Sequence, residues 1–194
     1  MQPIPHEVKR ADILSGVIDY IAQHGVSGLS LRPLAAELGT SARMLVHYFG
    51  SKEKMLIAAL ETQRPDITEA FADVHDAQTL RMRLLDGWIA NTSGAATRST
   101  TVVLQVLGQA AVQQDPYLAY ARAAIEVLVS ALTQVLQRID PSVENPQASA
   151  TLLVSGIRGL VLDRLVTSDS DRVDTAARQL IDQTLSNYNH TARH

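Results

Sequence analysis

Apolar residues recur along this chain at three- and four-residue intervals, and strict alternation is missing. That spacing belongs to helices packed by one face, not to strands. Val8, Ile13, Leu14, Val17, Ile18 and Ile21 predict a helix over 6–24, closed by Gly25 in a left-handed cap. Two short helices fill 30–49. Ser51 suits the N-cap of a fourth helix running to about Gln63, where Pro65 approaches.

Longer helices follow. One covers 77–92, with Leu80, Leu84, Leu85, Trp88 and Ile89 on one face, and another covers 98–113. A third opens at Asp115-Pro116, read as an N-cap with proline at the first helical position. Its Leu118, Ala121, Ile125, Leu128, Leu132, Val135 and Ile139 repeat at three and four, the seam of a helix packed along its length. A turn at 140–146 and helices at 147–167 and 171–188 complete the pattern. The expected fold is all-α: a small N-terminal unit, 1–50, and a larger helical body, 51–194, with the fourth helix joining them.

Residues 30–49 have the layout of a helix-turn-helix. Ser30 caps the first helix, Leu31, Leu34, Ala35 and Leu38 form its inner face, and Gly39 makes the sharp turn. Thr40 or Ser41 caps the second helix, and Leu45, Tyr48 and Phe49 face inward. Ser41, Ala42, Arg43, Met44, Val46 and His47 are left to meet a partner. In this motif the second helix enters the DNA major groove. Arg43 can hydrogen-bond a guanine edge twice, Met44 and Val46 can touch a thymine methyl, and His47 suits a phosphate or a base acceptor. Lys52, with the amides opening the fourth helix, offers a phosphate site. The same helix-glycine-helix pattern also occurs in helical proteins that never meet DNA.

Composition narrows the classes. There is no cysteine, which excludes disulfides and thiolate metal sites. Net charge is −3, against expectation for a nucleic-acid binder, yet all three lysines lie within the first 54 residues. No apolar run approaches the length of a membrane span, and the N-terminus lacks an apolar signal region, so the expectation is a soluble cytoplasmic protein that meets no membrane.

The segment "KRADILSGVIDYIAQHGVSGLSLRPLAAELGTSARMLVHYFGSKEKML", 9–56, resembles the N-terminal domain of TetR-type (tetracycline-repressor-like) transcriptional regulators. Arg10 with Ile13-Leu14, Gly25, "LSLRPLAAELGTS" and "HYFGSKEKML" carry the resemblance; Val46 stands where the family commonly has a tyrosine. The resemblance implies sequence-specific binding to a palindromic operator in double-stranded DNA, by Arg32, Thr40, Ser41, Ala42, Arg43, Met44, Val46, His47, Tyr48 and Lys52. It also implies repression, a homodimer, and a small-molecule effector bound in the helical body.

For the effector, Trp88 and Asn91, Gln105 and Gln109, and Tyr117 and Tyr120 could line an apolar cavity with a few polar handles, suiting a small apolar or aromatic molecule. Core packing of Trp88 and solvation of the glutamines is the competing reading. "GIRGLVLDRL", 156–165, and the last helix resemble the family's dimer helices, which points to Leu153, Gly156, Ile157, Leu160, Leu180 and Leu185 as the interface. No cofactor motif and no catalytic constellation stands out. His190 and His194 alone among the histidines have a ligand-like spacing. The rival reading is a helical protein–protein adaptor without DNA binding.

Overall fold

The computed structural model describes residues 6–112 and 115–188, with side chains from Arg10 onward. The expectations for the Val8 side chain and for His190 with His194 lie outside the described residues. Within them every regular element is helical: α1 (His6–His24), α2 (Leu31–Glu37), α3 (Ala42–Phe49), α4 (Lys52–Thr62), α5 (Ile67–Ala70), α6 (Ala77–Thr92), α7 (Thr97–Ala111), α8 (Tyr117–Ile139), α9 (Pro146–Thr167) and α10 (Ser170–Ser186).

The chain forms two compact units. One holds the chain up to Arg64 together with Arg98–Arg122, and the other holds Pro65–Thr97 with the chain from Ala123 onward. The expected division at residue 50 therefore differs from the one found. The reason is packing: α4 buries Met55, Leu56, Ala59 and Leu60 and lies against α1 and α3, so it belongs to the head.

In the first unit Ile13, Leu14, Val17, Ile18 and Ile21 of α1 meet Leu34, Leu45, Phe49 and Leu56 in one core. Burying one such side chain contributes about 1.5–3 kcal/mol. Leu38 closes on α1 where Gly16 has no side chain. Sequence spacing explains this core, because each helix supplies residues three or four apart.

The second unit is centred on Leu80, Leu84, Leu132, Val135, Leu136, Leu153 and Ile181. Here α10 packs along α9, and both pack on α6. A β-carbon on Gly156 would stand 2.5 Å from Leu180 Cδ2, so the glycine admits α10 to α9 within one chain. Ser168, at φ 58°, ends α9, and Asp169 caps α10 by accepting the Arg172 N–H at 3.2 Å.

Three details differ from the pattern reading. Ser30 stands at the N-cap of α2, but its side chain makes no cap hydrogen bond. Pro116 lies before α8 instead of inside it; its carbonyl accepts the Tyr120 N–H at 3.3 Å. The single turn α5, capped by Asp66 on the amides of Thr68 and Glu69, is too short to show periodicity. One described helix, α8, is long and apolar enough to cross a membrane, although no unbroken apolar run announces it. Its Leu132, Val135 and Leu136 are core residues of the second unit.

Candidate nucleic-acid interface

Between α2 and α3 the chain turns in four residues. Gly39 has φ +62°, a conformation that costs other residues roughly 1–2 kcal/mol. The Thr40 N–H closes the turn on the Ala35 carbonyl at 2.8 Å. Ser41 then starts α3, its Oγ accepting the Met44 N–H at 3.2 Å. This helix is only eight residues long and is fixed at its start by its own serine.

The far end is fixed by rings. Phe49 is buried, with the Arg10 guanidinium 5.4 Å from its ring centroid, a cation–π contact from α1 to the last residue of α3. The Tyr48 ring lies 6.2 Å from that of Phe49 and 5.6 Å from that of His47. Gly50, at φ +79°, turns the chain into α4, and Ser51 accepts the Lys54 N–H at 3.1 Å.

On this frame Arg43, Val46 and His47 are exposed along one face of α3, as their i, i+3, i+4 spacing requires. Ser41 and Arg32 are exposed as well. Thr40, Ala42, Met44 and Tyr48 are half-buried, so Met44 and Ala42, expected in the open, give part of their surface to the head. Lys52 is exposed at the start of α4, and its Nζ donates to the Leu29 carbonyl at 3.3 Å. An α-helix, about 10–12 Å across with its side chains, fits a B-DNA major groove about 12 Å wide.

The effector candidates are divided between the two units. Trp88 and Asn91 belong to the second unit, Gln105, Gln109, Tyr117 and Tyr120 to the first. The indole N–H of Trp88 donates to Asp174 Oδ1 at 2.9 Å, and Asn91 Nδ2 donates to the Gly87 carbonyl at 2.7 Å. Gln105 Oε1 accepts the backbone N–H of Val26 at 2.7 Å. Burial raises the hydroxyl pKa of Tyr117 and Tyr120, and the Arg64 guanidinium lies 5.6 Å from the Tyr120 ring centroid. Two concavities in the second unit lie elsewhere. One of about 290 Å³ is lined by Ala77, Gln78, Arg81, Asp182 and Leu185, and an open groove of about 560 Å³ runs along Asn145, Gln147, Ala148, Thr151, Leu152 and Ser155.

The interface candidates differ in how much surface they leave open. Leu153 and Leu185 are buried in their own chain's core, Ile157 packs against that core, and Gly156 is filled by Leu180. Leu160 and Leu180 are half-buried. The apolar surface that α9 leaves open is instead Leu152, Leu162 and Val166, with Gly159 facing open space. Overall hydrophobicity of α9 concealed which of its faces is already used.

Sequence reasoning also missed Asp174, which receives both Trp88 and Arg164, and the Val26 partner of Gln105. Neither has a local signal, since the partners of two of these bonds stand 86 and 79 residues apart.

Residues 13–59 match the sequence model of bacterial regulatory proteins of the tetR family. The HTH-type transcriptional regulator PksA of Bacillus subtilis is 31% identical over 71 residues, which are 37% of this chain and only 35% of that protein. The HTH-type transcriptional regulator BetI of Brucella canis is 26% identical over 144 residues, 71% of each chain. A transcriptional regulator from Saccharomonospora viridis, solved in complex with choline, shares the fold at a TM-score of 0.76 and 22% identity, over 96% of this chain and 98% of that one. The helix-turn-helix head and these likenesses define the class of a DNA-binding transcriptional regulator. Residues 13–59 thus form a head of the tetR-family type, and the adaptor reading has no support.

Proposed function

We propose that this regulator represses transcription as a homodimer bound to a palindromic operator in the cytoplasm, and that a small effector releases it. The exposed row Arg43, Val46 and His47 on a helix fixed at both ends supports the DNA-reading part, with Lys52 as the backbone contact. Arg43 lies in the first turn of α3, where base edges come within reach, and its planar fork suits guanine. The test is selection of duplexes from a random library by the full-length protein, followed by footprinting. A symmetric enriched site with two protected half-sites is expected; no enrichment would sink the reading.

Dimerisation is supported by the outer stripe of α9. Leu152, Ser155, Gly159, Leu162 and Val166 are spaced alternately by three and four, and the three large residues are 55%, 50% and 74% exposed. Such a stripe suits an isologous contact about a two-fold axis. Effector release requires a ligand that prefers the DNA-incompetent arrangement, because equal affinity shifts nothing. The Saccharomonospora protein's complex with choline supports a small-molecule ligand for this fold. For this chain an apolar or aromatic molecule fits best with the buried Tyr117 and Tyr120. Thermal-shift screening of the full-length protein against cationic, anionic and aromatic metabolites decides the class.

A further inference from the structure

The Gln105 side chain reaches from the middle of α7 into the turn between α1 and α2. Its Oε1 accepts the Val26 N–H at 2.7 Å, and Val26 is itself buried. The Val26 carbonyl accepts the Leu29 N–H at 3.2 Å, closing the turn. The Leu29 carbonyl then accepts from Lys52 Nζ at 3.3 Å. Three consecutive hydrogen bonds thus lead from α7 through residues 26–29 to the first residue of α4, all within one compact unit. A second tie, Arg98 to Asp19 at 3.0 Å, joins α7 to α1 but is well exposed, and exposed pairs hold little.

We infer that Gln105 is a positioning residue for operator binding: it fixes the turn whose Leu29 carbonyl seats the Lys52 ammonium beside the DNA backbone. The inference rests on the reading of Lys52 as the phosphate contact. A lysine carries a flexible four-carbon stem and three donors. Committing one donor to Leu29 restrains the stem, so less freedom is lost when a phosphate takes the others. If Gln105 cannot accept, the Val26 N–H is left buried and unpaired. The turn must then open towards water, and the Leu29 carbonyl leaves Lys52.

The test uses the full-length protein and a duplex enriched from a random library, with affinity read by anisotropy across a salt series and folding read by thermal denaturation. Gln105→Met keeps the side chain's length and removes the acceptor. Gln105→Glu keeps the acceptor, and Gln109→Glu, one turn away on α7, controls for the added charge. Lys52→Ala and Gln105→Met are each expected to weaken binding about tenfold and to lower the salt slope by about one unit per subunit. The double variant should bind no worse than Lys52→Ala alone, and Gln105→Glu should match Gln109→Glu. Should Gln105→Met not stay folded, Gln105→Asn, one methylene short, replaces it in the same cycle. Wild-type affinity and slope in the Gln105 variant, or losses that simply add, overturn the inference while the Lys52 contact stands. An unchanged slope in Lys52→Ala overturns both.

Discussion

The indole N–H of Trp88 points at Asp174 Oδ1, 2.9 Å away. The same oxygen accepts Arg164 Nε at 2.7 Å, and Arg164 Nη1 reaches the Thr92 carbonyl at 3.5 Å. One carboxylate thereby joins α6, α9 and α10 in the second unit. The Arg164 hydrogen bond, and after it that of Trp88, hold the Asp174 carboxyl below its ordinary value of 3.8. A lowered folded value means that the bond network adds stability above the unfolded pKa and loses it as pH falls through the folded one. Asp174→Ala should cost about 2–3 kcal/mol at neutral pH, since it strands a partly buried guanidinium and an indole N–H. The difference from wild type should shrink in acid. Urea unfolding, followed through the only tryptophan of the chain, measures both.

Gly39→Ala isolates backbone strain. Nothing lies within 4 Å of the β-carbon it would add, and φ is +62°. The expected loss is about 1–2 kcal/mol, seen as a lower melting temperature of the head with α3 still intact by circular dichroism. An unchanged melting temperature would mean that the turn readily adopts another conformation.

Arg43→Ala separates sequence reading from charge. It should cost about 1–3 kcal/mol on the selected operator and relax preference at one base pair in each half-site. Competition with single-base variants of that duplex is the measurement. Uniform weakening on every variant would make Arg43 a backbone contact instead.

Leu153→Ala and Leu162→Glu lie on one helix and should fail differently. Leu153 is wholly buried in its own chain, so its truncation should cost about 2–5 kcal/mol and leave association unchanged. Leu162 is 50% exposed, so a glutamate there should leave folding intact and shift sedimentation from dimer to monomer. A Leu162→Glu dimer as tight as wild type would place the two-fold contact elsewhere.

What could be read from the sequence follows from how far apart the interacting groups stand. The limits of α1 and α6, the caps at Ser41 and Ser51 and the turn at Gly39 depend on neighbours within a few residues, and the pattern predicts them. The exposed row Arg43, Val46 and His47 follows from the same period. Trp88 reads as apolar wherever it packs, and nothing near it announces Asp174. Gln105 and Val26 are likewise paired by the fold alone. Leu152 and Leu153 are adjacent and equally apolar, yet one is 55% exposed and the other 0%; only the direction from which α10 arrives decides between them.

That arrival is governed by a very short link. Between Thr167 and Ser170 only Ser168 and Asp169 intervene, one left-handed and the other engaged as a cap. In this chain the link folds α10 directly back along its own α9. In the homodimer proposed above, each copy would bring this finished hairpin to the contact. Subunits carrying different tags should then trade partners on mixing at a rate set by dissociation, with no denaturation needed.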